Sequence, residues 1–227
     1  MHGLIPEPSW PAARAALADA LTFWFPVACA GCGALDVDVC DACRAAARPS
    51  LHRGLVTPGV EVVSALTFEG AVARIIRSFK GEGRTGLVRV LAPALAHALA
   101  VIPPGATVTT VPASRSADRR RGYRPVDLLA RRAGAHPIPL LRVQRTAADQ
   151  RGLDRARRQS NMTGVFAARN PPKGPVVVVD DVLTTGATLR AAASALHDAG
   201  ADRVMAVTLA HTPRHSEHPR ESGGIGT

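Results

Sequence analysis

Residues 176–188 read Val-Val-Val-Val-Asp-Asp-Val-Leu-Thr-Thr-Gly-Ala-Thr, and they carry the strongest structural signal in the sequence. Four β-branched residues in succession predict a strand buried on both faces, as in the interior of a parallel sheet. Two carboxylates stand where that strand is expected to end, and an alanine-rich helix is predicted just after Gly186. Open α/β sheets bind their ligands at the carboxyl ends of such strands. The stretch therefore predicts an α/β fold with a ligand site at this connection.

The connection has the residue types of a phosphate site beside a sugar site. Gly186 permits a tight turn and close approach of a ligand to the backbone, and the N–H groups of a first helical turn favour an anion. Three hydroxyl donors are added by Thr184, Thr185 and Thr188. Asp180 and Asp181 would repel a phosphate, but their oxygens suit sugar hydroxyls or a hydrated Mg²⁺. Together these groups fit a phosphorylated ribose.

The same thirteen residues resemble the motif with which type I phosphoribosyltransferases bind 5-phosphoribosyl 1-pyrophosphate (PRPP). The resemblance implies that the catalytic acids Asp180 and Asp181 hold the ribose hydroxyls. It also implies that the 5′-phosphate is cradled by Thr184, Thr185, Gly186, Ala187 and Thr188. The alternative is an ordinary strand-to-helix turn whose acids cap the helix. The Gly-x4-Gly-Lys-Ser/Thr pattern is absent from the sequence, so a P-loop nucleotide triphosphatase is not indicated.

All four cysteines fall within one short segment, as Cys29-x2-Cys32-x7-Cys40-x2-Cys43. Two Cys-x2-Cys pairs form two tight turns that together present four thiolates to one tetrahedral Zn²⁺. The gap between the pairs is long enough for a small hairpin. Two disulfides or scattered buried thiols are the alternatives, and disulfides would require an oxidising compartment. Because all four ligands would come from the protein, the expected zinc is structural and not catalytic.

Arginine is concentrated in residues 112–160, which carry thirteen Arg against four Asp in a chain of net charge +10. Such a cluster favours phosphates, either a pyrophosphate or a nucleic-acid backbone. Ser114 and Arg115 are the candidates for pyrophosphate contact, with Arg121 in support. The alternative is a charged, solvated loop without a ligand.

The order of elements predicts the domain organisation of the 227 residues. Strands alternating with helices over residues 51–211 indicate a doubly wound parallel sheet. An amphipathic helix is expected within residues 1–24, a four-cysteine zinc knuckle at 25–50, and a disordered polar tail at 212–227. No stretch reaches the ~18–20 apolar residues of a membrane span, and the N-terminal helix lacks the basic start of a secretion signal. A cytoplasmic location is therefore expected.

Beyond the PRPP motif, the chain resembles the ComF family of competence-associated, phosphoribosyltransferase-like proteins. Four features carry this resemblance: Phe25-Pro26 before the cysteines, Phe79-Lys80, Arg121-Gly122-Tyr123 before the helix Leu128–Ala130, and Gln150…Arg158-x2-Asn161-x2-Gly164-x-Phe166. The resemblance implies a type I phosphoribosyltransferase-like sheet with a flexible hood at about residues 145–166. The hood residues that would face ligand or substrate are Gln150, Arg158 and Asn161. The family's Asn-Gln after the aromatic residue is replaced here by Arg124-Pro125, so substrate contact at that point is in doubt.

Three functions are compatible with these observations. The first is a Mg²⁺-dependent phosphoribosyltransferase that transfers or senses phosphoribosyl groups, with an unknown acceptor. The second, implied by the family resemblance, is an accessory of DNA uptake that contacts single-stranded DNA and a competence helicase. The third is a phosphoribosyltransferase of nucleobase salvage, against which the cysteine knuckle and the hood pattern argue. Lys80 is open to two interpretations, because it either reaches a phosphate or closes a helix C-terminus.

Overall fold

A five-stranded sheet organises the protein, which was analysed as a computed structural model that describes residues 27–112, 122–144, 164–169 and 174–213. The strands are β1 (His52–Thr57), β2 (Val60–Thr67), β3 (Thr107–Thr110), β6 (Val176–Leu183) and β7 (Val204–His211), in the order β1-β2-β7-β6-β3. The pairs β2/β7, β7/β6 and β6/β3 are parallel. The predicted α/β class with a mostly parallel sheet is thus confirmed.

Two parts of the strand arrangement depart from the predicted parallel sheet. β1 pairs antiparallel with β2 at the sheet edge, and no clear alternating pattern marks it in the sequence because this edge strand is largely exposed. The short strands β4 (Leu141–Val143) and β5 (Phe166–Ala168) form a separate antiparallel pair instead of joining the main sheet.

Strand β6 is buried because both faces of the sheet are covered by helices. Val177 and Val179 belong to one hydrophobic cluster, whereas Val176 and Val178 belong to the other. This alternation follows from the period of two along a strand. The valines of β6 therefore pack into apolar clusters on both faces of the sheet, as the sequence predicted.

Four helices pack with the first cluster or beside it. They are α1 (Asp41–Ala46), α2 (Gly70–Gly81), α3 (Val88–Leu99), which follows a 3₁₀ turn at Thr85–Leu87, and α4 (Pro125–Arg132). The first cluster includes Ile75 and Phe79 of α2, Leu91 and Leu95 of α3, and Leu129 of α4. The second face is covered by α5 (Ala187–Asp198) through Leu189 and Leu196, with Phe166 of β5 beside it.

A row of directly paired polar residues crosses the sheet near its carboxyl edge. His52 is in register with Ser64, Ser64 with Thr208, and Thr208 with Asp180. The buried hydroxyls of Ser64 and Thr208 are 2.7 Å apart, and the Thr208 hydroxyl donates to the Ala210 carbonyl at 3.1 Å. These hydrogen bonds satisfy the buried hydroxyls of Ser64 and Thr208. The sheet interior therefore tolerates these polar groups beside the acid pair.

Several predicted segments lie outside the described residues. These are the N-terminal helix expected at 1–24, most of the hood expected at about 145–166, and nearly all of the tail expected at 212–227. In the part of the chain that the structure describes, no helix combines the length and apolarity needed to cross a membrane.

Candidate functional site

The two acids project from the last part of β6, which continues through them to Leu183. The sequence suggested that the strand ends at the acids, but pairing with β7 persists at Asp180, Val182 and Leu183. Asp180 accepts a hydrogen bond from the backbone N–H of Asp181 at 2.8 Å through Oδ1. The acids are therefore held by a sheet strand, not by a loop, and their backbone positions are fixed by the sheet.

Lys80 at the end of α2 completes this group. Its Nζ lies 2.8 Å from Oδ2 of Asp181, whose side chain is 16% exposed. The sequence left open whether Lys80 reaches a ligand or closes its helix, and the structure shows a third role, as the partner of an acid. The Tyr123 hydroxyl donates a hydrogen bond to the carbonyl of Phe79, so the chain next to Lys80 is itself anchored. Sequence reasoning missed the Lys80–Asp181 pair because 101 positions separate its members.

The electrostatics of the acid pair distinguish its two members. Burial, together with the neighbouring charge of Asp181, raises the pKa of Asp180 from 3.8 to about 7, while the Asp181 N–H and Lys80 act in the opposite direction. A carboxyl with this pKa exchanges its proton near neutral pH. A bound cation or a sugar hydroxyl would favour the ionised form.

The loop after β6 leads into α5 at Gly186, and the Thr185 hydroxyl in this loop accepts a hydrogen bond from the Ala187 N–H at 3.4 Å. Gly186 is the N-cap residue in a left-handed conformation, with φ of 74°, which glycine adopts without strain. A Cβ there would lie within 3.5 Å of Arg190, Val56 and Leu183 atoms. Arg190 donates to the Thr185 carbonyl at 2.8 Å and supports the loop. Because the N-cap residue itself has no side chain, the N–H groups that follow Ala187 in the first turn of α5 can donate to an anion.

The predicted phosphate residues are thus brought to the same edge of the sheet as the acids. Thr184 and Thr185 are exposed, Gly186 is buried, and Ala187 and Thr188 start α5 with intermediate exposure. The predicted pyrophosphate residues Ser114, Arg115 and Arg121 lie outside the described residues, as do the hood residues Gln150, Arg158 and Asn161. The site described here therefore consists of the ribose and 5′-phosphate parts of the predicted site.

The four cysteines form the second cluster of functional groups. The Sγ atoms of Cys29, Cys32, Cys40 and Cys43 all lie within 4.8 Å of one another, and none is joined in a disulfide. A tetrahedral zinc with Zn–S distances of about 2.3 Å requires sulfur pairs about 3.8 Å apart. The 3.6 Å between the sulfurs of Cys32 and Cys40 is close to that value. The cluster therefore fits a metal such as zinc, which would be held by four protein ligands.

Backbone N–H groups favour the thiolate of Cys29, whereas burial raises the pKa of the Cys43 thiol to about 12. Burial alone would raise the pKa of Cys29, but the N–H groups of Cys40, Cys32 and Gly31 lower it to about 6. The backbone nitrogens of Cys40 and Gly31 each lie 3.4 Å from the Cys29 sulfur. A bridge between Ala28 and Leu35 closes the first cysteine turn. The second pair is presented by Cys40, the N-cap residue of α1, and by Cys43 within that helix.

The cysteine cluster is fastened to the α/β unit by two arginines. Arg74 of α2 donates to the Gly31 carbonyl. Arg84 donates to the Ala28 carbonyl at 3.0 Å and pairs with Asp38 at 2.9 Å. A Cβ at Gly31 would be 2.5 Å from the Cys43 sulfur and 3.3 Å from Ala71. The absence of a side chain at Gly31 thus allows the cluster to lie against α2, the helix that ends in Lys80-Gly81.

The geometry of the four cysteines predicts that the protein binds zinc. We expect the purified chain to carry one zinc ion and Cys43→Ser to carry a substoichiometric amount, because a buried ligand sulfur is lost. The measurement is zinc content by atomic absorption after gel filtration. Arg48→Ala is the control, since this exposed residue follows α1 outside the cluster. Equal zinc content in wild type and Cys43→Ser would contradict the assignment.

A second prediction concerns pH and stability. Since the folded pKa of Asp180 is raised to about 7, the folded state keeps a proton between about pH 4 and 7 that the unfolded state releases. The wild type should therefore lose unfolding free energy as pH rises through this window. Asp180→Asn lacks this dependence, so its stability relative to wild type should increase by on the order of 2–3 kcal/mol from pH 5 to pH 8. Urea unfolding at both pH values measures the difference, and parallel pH profiles would contradict it.

Comparison with known proteins places the acid pair within a recognised domain. The family model of the phosphoribosyl transferase domain matches residues 119–223. The matched stretch contains β6, the loop at 184–186, α5 and β7. No curated protein matches the chain. The family match, the mixed α/β fold and the mostly parallel sheet together support a phosphoribosyltransferase-like protein with a cysteine cluster suited to metal.

Proposed function

We propose that this protein binds PRPP with Mg²⁺ and transfers its phosphoribosyl group to an acceptor. The observation that carries the proposal is the placement of Asp180 and Asp181 on β6, the strand that leads through the turn at Gly186 to the N-terminus of α5, inside the matched domain. Carboxylates accept hydrogen bonds from the ribose hydroxyls, while N–H groups and threonine hydroxyls donate to the 5′-phosphate. The two ends of the site thus complement the two ends of a phosphorylated ribose.

The reaction would break the bond between C1′ and the pyrophosphate oxygen and form a bond from C1′ to the acceptor nucleophile. The pyrophosphate leaves with the electron pair of the broken bond, and the nucleophile loses its proton. Positive charge develops on the ribose ring in the transition state. Asp180 and Asp181, when ionised, lie where they stabilise that charge and orient the ribose hydroxyls. Mg²⁺ bound with PRPP would supply charge neutralisation at the pyrophosphate.

Lys80 has a defined part in this proposal. Its ammonium group neutralises Asp181 at 2.8 Å, and this lowers the repulsion between the two neighbouring carboxylates. A cation bound at the acids would itself neutralise Asp181. The Lys80 ammonium could then pair with a phosphate oxygen. Lys80 is therefore proposed as a positioning residue that holds the acid pair ready before the ligand binds.

The proposal predicts ligand-dependent stabilisation. With Mg²⁺, PRPP at a hundred times its Kd should add about 2.7 kcal/mol to the free energy of unfolding, which corresponds to a rise of several degrees in Tm. Asp180→Asn/Asp181→Asn should lose this rise, because the ribose hydroxyls and the Mg²⁺ waters lose their carboxylate acceptors. Differential scanning fluorimetry of the zinc-loaded chain, with and without Mg²⁺, measures both effects.

The matched control is Asp202→Asn, which removes an exposed carboxylate before β7 and away from the acid pair. It should keep the full Mg²⁺-dependent rise. A folded, zinc-loaded wild type that shows no rise at millimolar PRPP would refute PRPP binding. A rise that persists undiminished in the double variant would refute the assigned residues.

The second candidate function is contact with single-stranded DNA and a competence helicase, as the ComF resemblance implies. It is favoured by the exposed arginines Arg124, Arg131, Arg132 and Arg142. Contacts of this type neutralise backbone phosphates, so the affinity would fall steeply with salt. Such binding would survive the loss of Asp180 and Asp181, which separates it from the first function.

Nucleobase salvage is the third candidate, and it shares the PRPP site with the first. Turnover of PRPP with a common base such as adenine or uracil would distinguish it. For all three functions we propose the cytoplasm as the location, the compartment in which four unpaired thiols remain available to a metal.

A further inference from the structure

A groove runs along α3, beside α4 and the residues that follow α4. Two adjoining cavities of about 330 and 570 Å³ form this groove, and they share the lining residues Ala96, Ala133 and Gly134. The first cavity extends to Arg89 at the start of α3, and the second extends to Ile102 just beyond its end. We call their combined surface the α3 groove. It follows all twelve residues of α3, a length of about 18 Å.

The α3 groove has an apolar floor and a charged rim. Most of its lining residues are apolar, and six of them are alanines. The ionisable members of the lining, Arg89, Arg132 and His136, are all exposed. Small side chains on one surface leave room for large side chains on the element that packs against it. The groove therefore suits the apolar face of a helix that carries large residues.

Residues 1–26 join the described part of the chain beside the start of α3. The Arg84 guanidinium donates to the Ala28 carbonyl at 3.0 Å. The 3₁₀ turn Thr85–Leu87 then leads from Arg84 directly into α3. One arginine side chain and one short turn therefore separate the attachment point of the N-terminal segment from the near end of the α3 groove.

Exposed apolar residues mark both ends of the route from this attachment point along α3. Val27 and Leu35 are exposed beside the cysteine cluster, and Val101 and Ile138 are exposed at the far end of the α3 groove. These four belong to a set of only six large hydrophobic residues that are exposed in the described ranges. Large apolar side chains gain free energy when another element covers them. The route along α3 therefore favours an apolar covering element.

The sequence before the cysteines supplies an occupant of the right length. Its apolar residues recur at spacings of three and four, as Trp10, Ala13, Leu17, Leu21 and Trp24. This spacing places them on one face of a helix. Such a helix rises about 21 Å between the two tryptophans, which is close to the length of the α3 groove.

We propose that residues 10–24 form a helix that lies antiparallel to α3, with its apolar face in the α3 groove. The antiparallel direction follows from the attachment beside the start of α3, which would place Trp24 near Arg89 and Trp10 near Ile138. The two indole rings would lie against the alanines of the groove. The docked helix would hold the cysteine cluster to the α/β unit at a further point, in addition to its two arginine contacts. Its docking involves neither the acid pair nor PRPP and is independent of the proposed function.

The test measures acrylamide quenching of tryptophan fluorescence in the full, zinc-loaded chain. The chain has two tryptophans, and both belong to the proposed helix, so the signal reports on this segment alone. The quenching constant of wild type should be several-fold lower than that of the chain unfolded in urea. Ala96→Glu should raise it several-fold, because a carboxylate would stand where the two cavities meet. His97→Glu is the matched control, since His97 is the next residue of α3, is exposed and lies outside the groove lining.

A second pair of variants in the segment itself keeps the test independent of folding defects in the α/β unit. Ala13→Glu places a carboxylate on the apolar face, whereas Ala15→Glu places the same group about 200° further around the helix. Ala13→Glu should raise the quenching constant as Ala96→Glu does, and Ala15→Glu should leave it at the wild-type value. Cooperative urea unfolding, followed by far-UV circular dichroism, checks that each variant is folded.

Each outcome decides for or against docking within one chain. Protection of the tryptophans in a monomer, lost in Ala96→Glu and Ala13→Glu and kept in both controls, supports it. Quenching in folded wild type as strong as in urea would overturn it and leave the groove to another partner. Protection that is unchanged in Ala96→Glu would place the segment elsewhere and overturn it. Protection that fades on dilution, as a dimer dissociates on gel filtration, would assign the groove to the segment of a second copy and also overturn it.

Discussion

The position of β6 between β3 and β7 is the constraint on which the rest of the structure depends. Its valines are buried on both faces, and a shift of the strand by one residue would turn the side chains of Asp180 and Asp181 to the opposite faces of the sheet. Its pairing with β7 extends to Leu183. The sheet therefore fixes where Asp180 and Asp181 emerge and where the turn at Gly186 starts α5. The proposed ribose and phosphate positions both follow from one strand register.

The Lys80–Asp181 ion pair connects β6 to α2. Lys80 lies in the last turn of α2, and the same helix holds the cysteine cluster through Arg74 and Gly31. The N-terminal knuckle and the acid pair are thus attached to different parts of one twelve-residue helix. A zinc-loaded knuckle would stabilise the helix that carries the partner of Asp181. This gives the cysteine cluster a structural connection to the site without placing any cysteine in the chemistry.

Local patterns in the sequence predicted the parts of the fold that depend on local physics. The valine run predicts a strand, Gly186 predicts a tight turn, and the cysteine spacing predicts a cluster of thiols. The structure contains all three, with Gly186 in a left-handed conformation. Contacts between distant segments were not predicted. The Lys80–Asp181 pair, the stacking of His52 on His211 and the antiparallel edge strand β1 depend on how distant elements meet. No period or spacing within one segment encodes such contacts, and β1 is mostly exposed and thus lacks a strong pattern.

We propose that a phosphorylated ribose lies between the acid pair and the start of α5. The most direct measurement is a titration of the ¹⁵N-labelled, zinc-loaded chain with ribose 5-phosphate and Mg²⁺, followed through the backbone amide signals. We expect saturable shifts of the amides of Thr185, Gly186, Ala187 and Thr188, because these N–H groups would donate to the phosphate. Saturable shifts confined to other segments, with those four amides unchanged, would contradict it.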